Sequence, residues 1–197
     1  MLVVIGGIAR TNENAGRAGA AKGTTDVTAG SGAVATAATP EQALPKTQLA
    51  FLDVVADYQA RFRSASSELQ QSASRDERRT ALLNAFGSRL TVDGWLGTLH
   101  KLETNTEGKA IVTIRLAPNV DLKTWNNALS DVMHETMIEK GTPLYTALME
   151  MAVDDPVMVS GSFVHSDQDG AWETSMTIDG SMTAPEFLFH FSTISKQ

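Results

Sequence analysis

Cysteine is absent from this 197-residue chain. That excludes a disulfide framework, a thiolate zinc site and a cysteine nucleophile. Long apolar runs are also absent, and no stretch approaches the roughly 20 residues that a bilayer span needs. There is no phosphate-cradling Gly-Lys-Ser/Thr loop, no Gly-x-Ser-x-Gly elbow and no HExxH pair. The four histidines, His100, His134, His165 and His190, stand apart from one another. They read as structural or solvent-facing groups, because a metal site needs several ligands to converge. Asp167-Gln-Asp-Gly-Ala-Trp-Glu173 lacks the third ligand pair and the spacing of a calcium loop, so it reads as a hairpin turn. Asp154-Asp155 stands before Pro156 and reads as a helix-to-strand turn rather than a catalytic acid pair. No cofactor, metal or enzymatic activity is called for.

Positive charge is scarce in the second half of the chain. Residues 1–87 carry nine Lys and Arg against eight Asp and Glu, close to neutral; residues 88–197 carry seven against fifteen, a net −8. Modules that bind nucleic acid usually carry a basic stripe, because phosphate contacts dominate their affinity. The acidic half lowers that reading without removing it.

What is present divides the chain into three parts. Met1-Leu-Val-Val-Ile-Gly-Gly-Ile-Ala-Arg10 holds a short apolar run with the size of a signal-peptide core but no preceding basic residues. It reads either as a short N-terminal strand or as the tail of an export signal or membrane anchor. The second reading places the protein at the cell envelope, tethered upstream of residue 1; the first leaves it cytoplasmic. Residues 11–38 are mostly Gly, Ala, Thr, Ser and Asn, which bury too little to offset the entropy of ordering, and they read as a flexible tail. Residues 39–87 form a helical segment. Thr39 is a plausible N-cap with Pro40 at the first helical position, and Pro45 delays the start by a turn. Phe51, Val55, Tyr58, Phe62, Ala65 and Leu69 then make one apolar stripe on a helix over about 45–73. Ser74 would cap a second segment ending at Phe86 and Gly87.

Residues 88–197 alternate in the manner of strands. Leu90 to Leu102 contains Gly94 and Gly97, which suit a bulge or strong bend. Ala110 to Leu116 is a second strand, ended by Pro118-Asn119, and Val120 to Trp125 a short third. Asn126 to Lys140 reads as either a helix through Ala128, Leu129, Val132 and Met133 or irregular chain with a short strand at Thr136-Met137-Ile138. Thr142-Pro143 opens a short helix. Val157 to Val164 is a fourth strand and Trp172 to Ile178 a fifth. Pro185 then leads into Glu186 to Ile194, with Phe187, Phe189 and Phe191 on one face. This order is that of a small Greek-key barrel of the oligonucleotide/oligosaccharide-binding (OB) kind. The expected fold is therefore α+β: an N-terminal helical segment packed on a five-stranded OB-like barrel, with one short helix between strands three and four.

Several stretches also resemble a known group. Lys123-Thr-Trp-Asn-Asn-Ala-Leu-Ser-Asp131, Val157-Met-Val-Ser-Gly-Ser-Phe163 and Ser175-Met-Thr-Ile-Asp-Gly-Ser-Met-Thr-Ala-Pro-Glu-Phe187 join Glu68-Leu-Gln-Gln-Ser-Ala73 and Arg75-Asp-Glu-Arg78. Together, over about residues 46–195, they resemble uncharacterised bacterial proteins whose C-terminal OB-like domain is similar to the tRNA-anticodon-binding-like family. The resemblance implies the barrel, often behind a signal or anchor, and implies no activity. Some members carry a cysteine in the turn that here reads Asp167-Gln-Asp-Gly170, so a role for that thiol does not transfer.

The expected function is a non-catalytic binding or interaction module with a protein partner. A single-stranded nucleic-acid binder and an uncharacterised enzyme are the alternatives. If ligands use strands two and three, Thr113, Arg115, Lys123 and Trp125 sit on that face, with the loop Glu103 to Lys109 beside it and Trp95 as a further aromatic. Exposed rings in such folds stack bases or sugars.

Overall fold

Pro45 marks the start of the first helix. The computed structural model describes residues 43–87 and 90–197, so Thr39, Pro40 and the 1–38 tail lie outside the described residues. Pro45 occupies the N-cap of α1 (Lys46–Ser64), with extended backbone. Phe51, Val55 and Phe62 are buried on one side, as the stripe predicts, while Asp53, Asp57, Arg61 and Arg63 face solvent. The stripe stops earlier than its periodicity suggests. Ala65 turns extended, and Ser67 caps α2 (Glu68–Phe86), its hydroxyl accepting from the Gln70 N–H at 3.3 Å. Gln70 reaches back to the Ser66 N–H at 2.8 Å, a local variant of the capping box. The break therefore falls at 65–67 and not at Ser74, and Leu69 is left 84% exposed. Gly87, at φ 68°, ends α2 by donating its N–H to the Leu83 carbonyl.

The strands are β1 (Thr91–Thr104), β2 (Ala110–Ala117), β3 (Val120–Lys123), β4 (Pro156–Phe163) and β7 (Glu186–Lys196), with a two-residue pair β5 (His165–Ser166) and β6 (Gly170–Ala171) between the last two. The five long strands close into a barrel in the order β1-β2-β3-β7-β4, with β4 returning to β1. β3 and β7 run parallel and the other pairs antiparallel. This is the expected OB-like arrangement. Two glycines in β1 permit closure. The register slips between Val92 and Trp95, around Gly94 at φ 67°. At Gly97 a Cβ would lie 2.7 Å from Ile114 Cγ2 and 2.8 Å from the Arg115 carbonyl oxygen, so β1 and β2 close only on a glycine.

Between β3 and β4 lie a single turn, α3 (Ala128–Asp131), and α4 (Pro143–Met149), capped by Thr142 as its sequence predicts. Both readings of 126–140 hold in part, because Ile138 also exchanges backbone hydrogen bonds with Ala110 of β2. The expectation of a strand at Trp172 to Ile178 is corrected. That segment makes one bridge, Glu173 to Phe187. Thr177 then caps a short helix, α5 (Ile178–Thr183). The hydroxyl and acidic residues that follow Trp172 satisfy the backbone locally and compete with a ladder. The fifth barrel strand is β7. Its Phe187 and Phe189 face the core. Leu188 points the other way and is also fully buried.

The helical pair seats on this barrel through one ring. Phe51 meets Trp95, Phe163 and Phe187 with centroids 5.1–5.3 Å away, and Phe86 at 6.1 Å. Beside it the Gln48 amide donates to the Leu96 carbonyl at 2.6 Å and accepts from the Leu96 N–H at 2.8 Å, filling a gap where β1 has no strand on its β2 side. Arg75 grips Asp169 with two hydrogen bonds, at 2.7 and 2.8 Å, and buried Arg78 donates to the Ser181 carbonyl. These tie α2 to the β4–β7 connection. Among the described residues, no helix is long and apolar enough to cross a membrane.

Candidate ligand-binding site

Alternation along β2 and β3 decides which of the expected residues share a surface. Ile114 and Leu122 point into the core. Thr113, Arg115, Asp121 and Lys123 therefore point outward, with Thr113 opposite Lys123 and Arg115 opposite Asp121. Trp125 lies two residues past the end of β3. The structure thus places Thr113, Arg115 and Lys123 on one face, with Trp125 just beyond its end. It does not place Trp95 there: that ring is wholly buried against Phe51, and its indole N–H donates to the Thr47 hydroxyl at 3.0 Å.

The face is already satisfied by its own chain. Arg115 holds Asp121 through two 3.0 Å hydrogen bonds. The hydrogen bond to Asp121, with the Asp121 charge behind it, raises the guanidinium above its ordinary pKa. Lys123 donates to Glu186 at 2.6 Å. Burial pushes the Glu186 carboxyl upward, but the bond and charge of Lys123 and the hydroxyl of Thr174 outweigh it, and the net shift is downward. Thr113 is itself buried. The adjoining loop is closed in the same way, with Lys109 paired to Glu139 and Lys101 to Glu103. Lys196 pairs with Asp155. From Leu90 onward, Lys140 is the one cation among the described residues without such a partner.

Past β3 the chemistry changes from ionic to aromatic. His134 lies between two tryptophans, its ring 6.4 Å from Trp125 at an interplanar angle of 29° and 4.6 Å from Trp172. Trp125 is half-buried, and its indole N–H has no partner among the described residues. The stack joins the turn after β3 to the β4–β7 connection. A hydrogen-bond hub stiffens the turn from below. The buried Asp131 carboxylate accepts from the Thr136 N–H and hydroxyl at 2.7 and 2.6 Å and from the Met137 N–H at 2.9 Å. The Thr136 hydroxyl in turn accepts from the Trp125 N–H. Glu135 is held in left-handed backbone, φ 48°.

The outer side of this stiff turn is apolar. Leu129 is 87% exposed and Met133 83%, with Val132 between them; Met176, on the connection beyond Trp172, is fully exposed. One of the two sequence readings of this segment runs a helix through Ala128, Leu129, Val132 and Met133. The helix is one turn long, and its inner position goes to Asp131 instead. Asn127 caps the start of that turn, its side chain accepting from the Ser130 N–H.

The remaining candidates carry structural roles. Asp167-Gln-Asp-Gly170 is the β5–β6 hairpin turn, and buried Asp169 within it receives Arg75 and Arg78. Asp154 and Asp155 form the turn into β4, where Asp155 accepts from the Ala152 N–H. No group of three or more His, Asp or Glu side chains among the described residues is placed to hold a metal ion. A cavity of about 270 Å³ between β1, β2 and α4 is lined by Leu102, Glu103, Thr104, Ala110, Tyr145, Leu148 and Met149. Compared with protein-family models, curated proteins and solved structures, the chain finds no match.

Proposed function

We propose that the protein is a non-catalytic, OB-like interaction module whose partner is another protein. The pairing of its cations carries this reading. A groove for single-stranded nucleic acid needs donors free to meet phosphate, with bases stacked on exposed rings. On the outward face of β2 and β3, Arg115 and Lys123 are each bound to a carboxylate of the same chain. Beside that face Leu129, Val132 and Met133 are exposed within five residues of chain, and clustered exposed apolar side chains mark protein-interaction surfaces. The cavity beside α4 has one carboxylate, Glu103, and one phenol, Tyr145, which supports a module without acid–base machinery. Association with the cell envelope belongs to the same proposal. It rests on the apolar run at Leu2–Ile8, the polar 11–38 segment and the resemblance to anchored bacterial proteins.

Titration of labelled single-stranded DNA and RNA 12-mers into the full chain tests the choice of partner. The expected outcome is no binding tighter than the roughly 10⁻⁴ M of weak non-specific contacts, at near-physiological salt. A tighter complex whose affinity falls steeply with salt would replace this proposal with the nucleic-acid one.

A further inference from the structure

The stiffness of the turn after β3 and the groove beside it define a docking surface more closely than the general reading does. Exposed apolar side chains usually sit on mobile loops, where ordering them on binding costs entropy. Leu129, Val132 and Met133 do not. Their turn is fixed by the three hydrogen bonds to Asp131 and by His134 between Trp125 and Trp172. A preorganised apolar surface loses little on binding.

The groove next to it, about 320 Å³, is shared by Ala128, Val132 and Met137 with the charged residues Glu107, Lys109, Asp131 and Glu135. Glu107 and Glu135 have no cation within ion-pair reach among the described residues, and Lys109 is occupied by Glu139. Lys140 passes beside Gly108 and is the one unpaired cation nearby among the described residues. Four carboxylates thus stand against two ammonium groups, and the local sign is negative.

The geometry points to an amphipathic segment of a partner protein as the occupant. Its apolar side chains pack on Leu129, Val132 and Met133, and a lysine or arginine enters the groove that Glu107 and Glu135 line. The charge complement selects a basic amphipathic segment over an acidic one. This rests on the protein-partner reading above and narrows it to one surface and one chemistry.

Selection of displayed random 15-residue peptides on the full chain, in near-physiological salt, tests both levels. The expected peptides are net basic with apolar residues three or four apart. The Val132→Ser/Met133→Ser double variant weakens them at least tenfold, and Glu135→Gln weakens them further. Asp53→Asn on α1, which belongs to neither feature, leaves them within twofold. The double variant keeps the hydrogen-bond hub, and an unchanged urea midpoint verifies its fold. Acidic peptides, or basic ones indifferent to the double variant, would overturn this surface while leaving a protein partner in place. Failure to enrich any peptide would remove the protein-partner reading as well. Capture by phosphatidylglycerol-containing vesicles, lost in the double variant, would replace the protein segment with a membrane. Self-association through Met133 in sedimentation would replace it with a second copy.

Discussion

Replacing Phe51 with alanine tests how the helical pair is held. The ring has no exposed surface, and four aromatic side chains from α2, β1, β4 and β7 surround it. Truncating an enclosed phenylalanine costs about 3–5 kcal/mol, from lost transfer and from the cavity left behind. Aromatic pairs add about 0.5–1.5 kcal/mol each beyond buried area. Phe51 contacts four rings that cannot all close on the void, so the loss should fall near the top of the range, about 4–5 kcal/mol. For a chain of this size that lowers the melting temperature by roughly 10–20 °C. Urea denaturation followed by tryptophan fluorescence gives the number directly, because Trp95 touches Phe51. Leu49→Ala on the same helix is the control. Leu49 is 44% exposed, and its replacement should change stability by no more than about 0.5 kcal/mol. If Phe51→Ala cost less than about 1 kcal/mol, α1 would not be bolted to the barrel as described. Two separated transitions with a reduced first slope would instead mean that the helices detach before the barrel unfolds.

Two further outcomes follow from buried polar groups. Gln48→Met keeps the volume of the side chain but strands the Leu96 N–H and carbonyl, at about 1–3 kcal/mol for each unmade bond; a loss of about 2–5 kcal/mol in urea, with faster hydrogen exchange at the Leu96 amide, is expected, and a loss under about 1 kcal/mol would show that water or a neighbour substitutes for the amide. Glu173 bears on pH. Burial raises its carboxyl above the usual value, against the pull of hydrogen bonds from Ser175 and Glu186 and the charge of Arg78. Its contribution to stability is full below the unfolded pKa and is lost as pH rises through the raised folded value. Glu173→Gln cannot titrate, so its stability relative to the parent should improve as pH rises above the ordinary glutamate range; a flat or opposite difference in paired urea titrations would show that the hydrogen bonds to the carboxylate outweigh its burial.

The barrel was legible because its signals are local and redundant. Alternation in Ala110 to Leu116, the glycines in β1 and the Thr142-Pro143 helix start each imposes one conformation on a few residues, and the closed order agrees with them all. The helix break was legible too, but at a different place. Ser67-x-x-Gln70 is a capping signal, and it outcompetes the apolar spacing of Ala65 and Leu69 that suggests a continuous helix. Trp172 to Ile178 misleads for a related reason. Its alternation is that of a strand, yet it makes only the Glu173 bridge to Phe187 of β7, because the Glu173 and Thr177 side chains then accept from the Ser175 and Gly180 N–H groups and turn the chain into α5. The outward direction of Thr113, Arg115 and Lys123 on β2 and β3 was legible from alternation. The charge balance of that face was not, because Lys123 meets Glu186 across 63 positions of sequence. The hub at Asp131 and the stack of His134 between Trp125 and Trp172 depend on side-chain directions at the end of a one-turn helix, which no periodicity reports.

Magnitudes decide where on this barrel a ligand gains most. A phosphate approaching Arg115 or Lys123 must displace a carboxylate already bonded to it, so one charge-assisted hydrogen bond replaces another. The net gain is near zero before the cost of leaving Asp121 or Glu186 without its cation, and the surplus of acidic residues makes that cost larger. Covering Leu129, Val132 and Met133 requires no such exchange. Full burial of side chains of this kind contributes about 1.5–3 kcal/mol each, so three together offer roughly 4–9 kcal/mol toward association. Their turn is already rigid, so little of that sum is spent on ordering. A basic group placed near Glu107 and Glu135 adds attraction where the chain has no cation bound to either carboxylate. The apolar turn, and not the ionic sheet face beside it, is therefore where the proposed partner would find uncommitted free energy.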